Sequence, residues 1–298
     1  MNVNILKLLV PLALLAGCAK TTAPEYSWAT DPNAVIVNAS VGTLTRSNPL
    51  GGEDEQKKFN PGDVISIWQL SRGDSFDYRL EEGGNWVPVD NSKYMVWPSS
   101  KKDKFGACYQ PRACLELVTD QSTLAGLASA DFMMTTGIEG DNTSGDNKLS
   151  FTLDRQFSLV TVKIAGYNDQ YDPETDKISD LKIYLTNAAY VDAKAVTPYV
   201  RNASGQNVAN SDGTKGWTYS AIGTSPFNNA DKAVFIEFKM AGKTETFTGI
   251  PTLEAGKSYI FNLTVGKNKI ELGDVTVLDW DENVDLGGDN DEYEAEKK

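Results

Sequence analysis

Tandem antiparallel β-sandwiches are the fold class this sequence predicts, on three observations. Short runs rich in Val, Ile, Tyr, Phe and Trp recur along 298 residues, with Gly, Pro, Asn and Asp between them, which is the pattern of strands and turns. Several runs alternate apolar and polar with period two, as a strand with one wet face does. No amphipathic stretch of 12 or more residues is visible, which argues against βαβ units.

In chain order, Val35–Val41 is the first strand and Val64–Trp68 the second, separated by an exposed Gly-rich loop, a charged stretch and the turn Phe59-Asn-Pro-Gly-Asp63. Tyr78–Leu80, Trp86–Val89, Tyr94–Pro98, Phe105–Tyr109 and Leu115–Val118 continue the rhythm, with Glu81–Asn85 as a hairpin turn. Thr119–Thr136 is the one helix-like break, with Asp120 or Ser122 as its cap and Leu124, Leu127 and Phe132 as its apolar side. Gly137–Asn147 reads as a linker and places the domain boundary there. Leu149–Leu153, Leu159–Ile164, Leu181–Leu185, Val234–Met240, Glu245–Thr248, Ser258–Val265, Lys269–Leu272 and Val275–Trp280 supply the second set of strands.

The amino terminus sets the context. Ile5–Ala16 is an apolar run led by Lys7, and it ends in Leu15-Ala16-Gly17-Cys18. This is a secretory leader with a small-residue cleavage site, here completed by a thiol as in bacterial lipoprotein precursors. It falls short of the about 20 apolar residues that span a bilayer. Cleavage before Cys18 leaves a thiol for diacylation, and two acyl chains hold a protein stably on a membrane. The expected organisation is a leader over 1–17, a tether over 18–33, sandwiches over 34–146 and 147–281, and an acidic disordered tail over 282–298.

Composition narrows the chemistry. The chain has no histidine, which removes Ser-His-Asp and Cys-His catalysis and every His-containing metal site. The formal charge of −13 carries no basic cluster, so nucleic acid is not an expected partner. Paired carboxylates remain as acid–base machinery, but no spacing singles out a pair among 41 acidic residues. Asp169, Asp172, Glu174 and Asp176 crowd one loop, and Asp141 and Asp146 another; neither follows a calcium-loop template, and both read as solvated. No enzyme, cofactor or metal is expected. Cys108 and Cys114 sit in an oxidising compartment at a spacing that allows a disulfide; two buried thiols on strands are the other arrangement. Trp68, Trp86, Trp97, Trp217 and Trp280 are core candidates, with Trp217 in its polar surroundings the best placed for exposure.

Several motifs coincide in order: the lipobox, Ala39–Arg46, Phe59-x-Pro-Gly-Asp63, Trp86-x-Pro88, Tyr94-x-x-Trp97-Pro98 and Phe105–Pro111. Asp120-Gln-Ser122, Ala130–Met134, Phe247-Thr-Gly249, Leu253-x-Ala-Gly-Lys-Ser-Tyr259 and Val275-x-Val-x-x-Trp280 follow. Together they resemble the fimbrillin family, lipoprotein subunits of the type V pili of anaerobic oral and gut Gram-negative bacteria. One departure is Phe151-Thr-Leu-Asp-Arg155, where many members carry an aromatic-x-His element.

The resemblance implies transthyretin-like sandwiches that assemble by strand exchange. It implies cleavage between Arg46 and Ser47, removal of the Val35–Val41 strand, and its replacement by a terminal strand of another subunit. Val275, Val277, Leu278 and Trp280 would form the donor; in a capping or anchoring subunit they are the last strand of their own sandwich. The implied partners are other pilus subunits, the outer membrane through Cys18, and host or bacterial surface ligands. The competing expectation is a surface glycan-binding lipoprotein of a polysaccharide-uptake system, which requires a planar row of exposed aromatics.

Overall fold

The computed structural model describes residues 27–41, 58–109, 117–168, 176–187, 192–208, 212–225, 233–266 and 269–280. Cys18, Arg46, Ser47, Cys114, the leader and the acidic tail lie outside the described residues, as do Asp169, Asp172 and Glu174.

The first half contains β1 (Ile36–Val41), β2 (Val64–Gln69), β3 (Ser75–Leu80), β4 (Trp86–Pro88), β5 (Lys102–Tyr109), α1 (Leu124–Ala130), β6 (Met133–Asp141) and β7 (Lys148–Arg155). Its strands form one sheet in the order β1-β7-β6-β5-β2-β3-β4. Alternation decides which side chains turn inward: Ile65 and Ile67 of β2, Tyr78 and Leu80 of β3, and Leu149, Phe151 and Leu153 of β7 meet in one core. The sheet curls until its two edge strands approach each other, so that Val35 and Val37 share this core with Trp86.

The second half contains β8 (Ser158–Tyr167), β9 (Ile178–Leu185), β10 (Lys194–Val196), β11 (Tyr199–Arg201), β12 (Thr218–Gly223), β13 (Val234–Met240), β14 (Lys243–Thr248), β15 (Lys257–Gly266) and β16 (Lys269–Asp279). A five-stranded sheet, β11-β12-β8-β15-β16, and a four-stranded sheet, β10-β9-β13-β14, enclose a second core. Val160 and Val162 of β8, and Phe261 of β15, meet Ile183 of β9 and Phe235 and Phe238 of β13 across it. This is sheet-on-sheet packing with a side-chain layer between.

Three expectations need correction. Two pairings are parallel, β1 with β7 and β8 with β15, so the sheets are not uniformly antiparallel. The boundary at 146/147 is displaced: β6 and β7 both belong to the first sheet, and the change of sheet falls after Arg155. Gly137–Asn147 resembled a linker because its glycines serve a strand. A Cβ on Gly140 would lie 2.5 Å from the Phe105 ring, and Gly137 has φ 74°, beside the bulge where β5 shifts register against β6. Finally, Tyr94–Pro98 forms only an isolated bridge, Ala34↔Val96, and among the described part of Leu115–Val118 there is no strand.

The helix is short and is capped by Thr123, whose hydroxyl accepts the Gly126 N–H at 3.0 Å. Asp120 instead accepts the N–H and hydroxyl of Ser122. The segment carrying α1 crosses from the first sheet onto the second. Buried Gln121 donates to Ile222 O at 2.8 Å and accepts the Ile222 N–H at 2.7 Å. Leu127 and Ala130 then pack with Phe157, Leu159, Ile222 and Trp280 in a third cluster between the halves.

Candidate functional site: two edge strands

Strand edges are where this architecture can meet another chain, because an edge leaves backbone N–H and C=O groups unpaired within its sheet. Two edges coincide with residues singled out in the sequence.

The first is β1. Among the described strands it is laddered to β7 alone, from Ile36↔Lys148 to Val41↔Leu153. Its burial alternates: Val35 and Val37 are buried, Ala39 is half-buried, and Ile36, Asn38 and Ser40 face out. Removing β1 would therefore strip one wall from the first core and bare the edge of β7. A cleft of about 450 Å³ already separates β1 from β4, lined on one side by Ala34, Val37 and Asn38 and on the other by Asn85 and Trp86.

Residues 27–35 lead into β1 as a strap held by hydrogen bonds to two other segments, the loop over 94–97 and the turn between β6 and β7. Tyr94 Oη donates to Asp31 Oδ2 at 3.0 Å, Trp97 N–H to Asn33 O at 2.9 Å, Val35 N–H to Met95 O at 2.9 Å, and Asn147 Nδ2 to Pro32 O at 2.6 Å. Burial, then the Asp31 carboxylate, push the Tyr94 hydroxyl up, so it stays a donor at neutral pH. Beneath it, burial pushes Tyr78 to about 12, and its oxygen accepts the Met95 N–H at 3.1 Å.

The second edge is β16. It runs antiparallel to β15, from Lys257↔Asp279 to Gly266↔Lys269, and among the described residues it has no neighbour on its other side in the sheet. Val277, Val275 and Leu272 are paired with Tyr259, Phe261 and Leu263, so they stand on the core side of the sheet. Their partners are buried, yet they are 51%, 40% and 37% exposed. Among the described residues, nothing covers these three as their strand partners are covered. Leu278 is half-buried, whereas Trp280 is 0% exposed, with Arg155 Cζ 4.0 Å from its ring centroid. Arg155 in turn donates from Nε and Nη2 to both oxygens of Asp131 at 2.7–2.9 Å. Of the four residues expected on this strand, two present apolar surface and Trp280 is locked in place.

The remaining candidates fall into place around these edges. Cys108 is buried in β5. Trp86, Trp97 and Trp280 are core, as expected. Trp217 is half-buried against the second core, and Trp68 lies flat over Gly106, where a Cβ would meet its indole at 2.3 Å. Trp28 is also half-buried, so none of the six tryptophans offers the exposed row a glycan platform needs. Among the described residues no group of three or more His, Cys, Asp or Glu is arranged to hold a metal. Gln121, Tyr94 and Trp97 stood out in the sequence only as motif positions; their contacts did not, because polar groups in loops give no periodic signal.

Bare strand edges and exposed apolar side chains on an all-β chain are features through which strand addition can join one chain to another. The chain belongs to the fimbrillin-like family, whose model matches residues 45–280. It is similar in fold to a candidate cell adhesion protein from Bacteroides uniformis ATCC 8492 (16% identity, 84% of this chain and 100% of that one, TM-score 0.49). It is likewise similar to one from Bacteroides ovatus ATCC 8483 (16%, 83% and 97%, TM-score 0.49). The tip fimbrial protein Mfa3 from Porphyromonas gingivalis, C-terminally truncated, aligns over 83% of this chain and 99% of its own at 9% identity and TM-score 0.40. No curated protein matches.

Proposed function

We propose that this chain is a subunit or anchoring component of a type V pilus with a role in cell adhesion. It is delivered to the outer membrane as a lipoprotein acylated at Cys18, and it is assembled by strand exchange. Proteolysis between Arg46 and Ser47 cuts the covalent link behind β1. A strand from a neighbouring subunit then takes the place of β1 along β7, renewing its backbone hydrogen bonds and closing the first core. The observation that carries this reading is the character of β1: an edge strand, bonded to one neighbour, with inward valines that a replacement must supply.

β16 is the candidate donor over Leu272–Val277, where apolar side chains stand uncovered. Buried Trp280 holds the end of that strand in its own subunit. An anchoring subunit needs only the first feature of this scheme, a β1 that stays in place with its lipid.

The test is the amino terminus and intact mass of the protein recovered from fibres and from outer membrane. A Ser47 amino terminus in the fibre fraction is the expected result. Finding only acylated Cys18 in both fractions sinks the exchange reading and leaves a lipid-held surface component.

A further inference from the structure

Asn147 is the most heavily bonded residue at the entrance to β1. Its backbone is left-handed, φ 60°, in the turn between β6 and β7. Its N–H donates to Asn142 Oδ1 at 2.8 Å, and its Oδ1 accepts from Asn142 Nδ2 at 2.6 Å, so the two amides lock the turn. With the turn fixed, the remaining groups of Asn147 point at the strap. Its Nδ2 donates to Pro32 O at 2.6 Å, and its carbonyl accepts both the Ile36 N–H at 2.8 Å and Trp97 Nε1 at 3.0 Å. Asn142 and Trp97 are themselves buried. One residue thus joins the β6–β7 turn, the Trp97 loop, the strap at Pro32 and the first residue of β1.

We propose that Asn147, with Tyr94 and Trp97, is a clasp that retains the amino-terminal strand after the chain behind it has been cut. The inference rests on the strand-exchange reading and adds its control point. The ladder of β1 begins at Ile36↔Lys148, immediately beside the clasp, and runs toward the cut end at Val41↔Leu153. A cut near residue 46 therefore frees the end away from the clasp. The strand then unzips from Val41 toward Ile36, and an incoming strand advances along β7 in the same direction while the clasp still holds the outgoing one. The subunit never exposes its whole core at once. Parallel pairs are slightly weaker per residue than antiparallel ones, so the clasp, not the ladder, sets the rate of final release.

The test uses the mature chain carrying C18A and a site-specific protease sequence in place of residues 43–47. After cutting, the fragment ending in β1 is labelled, and its release from the body is timed against excess unlabelled fragment. Asn147→Gly keeps the left-handed backbone without strain and removes the side-chain bonds; release about tenfold faster is expected, equivalent to about 1.4 kcal/mol. Tyr94→Phe, which keeps the ring and removes the hydroxyl that donates to Asp31, is expected to speed release two- to fivefold. Ser40→Ala removes contacts at the opposite end, where Ser40 Oγ lies 3.3 Å from Phe151 O, and is expected to leave final release unchanged. Equal release rates for wild type, N147G and Y94F overturn the clasp, as does an S40A effect as large as that of N147G. The cut is engineered, so absence of natural cleavage at Arg46 overturns the exchange reading without touching this measurement.

Discussion

Arg155 and Asp131 bring opposite charges together where almost no water reaches them, and Trp280 closes the site as a lid. Desolvation of both ions makes such a pair a poor source of net stability, but removing one partner leaves the other buried and uncompensated. Asp131→Ala is therefore expected to destabilise the protein by about 3–5 kcal/mol, read as a shift of the denaturation midpoint, with Trp280 fluorescence moving to the red as its pocket loosens. Exposed carboxylates behave differently. Lys102, 2.8 Å away, and then the Thr143 N–H hold Asp141 down to about 2 from its ordinary 3.8. Asp90, Asp120 and Asp180 are lowered in the same direction by Ser92, Ser122 and Lys239 respectively. Each has a folded value below its unfolded one, so each stabilises the fold above its ordinary 3.8 and loses that contribution as pH falls through its folded value, about 2 for Asp141. The melting temperature is expected to fall across that window. Asp141→Asn should flatten part of the fall, and high salt should flatten it further, because the groups are exposed and screened.

At the scale of elements, the β6–β7 hairpin carries the first half of the site, and its two strands differed in how legible they were. Strands with clean alternation were readable: β7 and β13 appear where period two places them, and β1 where its valines do. β6 was not readable, because the glycines that make room for Phe105 and accommodate its bulge are the same residues that mark linkers. β12 was missed for a related reason: all six of its residues, Thr218–Gly223, are buried, so it lacks any polar–apolar rhythm. The edges of the site were visible as sequence runs, but which face of β16 is covered depends on the reach of the opposite sheet. Gly140→Ala tests the glycine account. Its Cβ would stand 2.5 Å from Phe105 and 3.0 Å from Trp97, so a loss of about 1–3 kcal/mol is expected from overpacking. Phe105→Leu in the same background should recover part of it, whereas a linker glycine would tolerate alanine with no measurable change.

Across the whole molecule the two candidate edges sit on different bodies of structure, β1 on the first core and β16 on the second. A fibre that grows by exchange needs that separation, since each subunit must accept at one end and present at the other. The two roles can then be disabled independently. Val277→Lys places a charge on a side chain that is already half in water, so the melting temperature of the isolated subunit should move by less than a few degrees. The same change should block its binding to a cut partner, because a lysine cannot enter the place vacated by an inward valine without burying an unpaired charge. Mixing settles the direction. V277K subunits cut behind β1 should still bind intact wild-type subunits, whereas cut wild-type subunits should not bind intact V277K ones. Analytical ultracentrifugation of the two mixtures reads the difference as one heterodimer present and one absent. Binding in both mixtures would remove β16 from the donor role and pass it to another segment of the chain. Binding in neither would mean that Val277 serves the body of the second sandwich, despite its exposure.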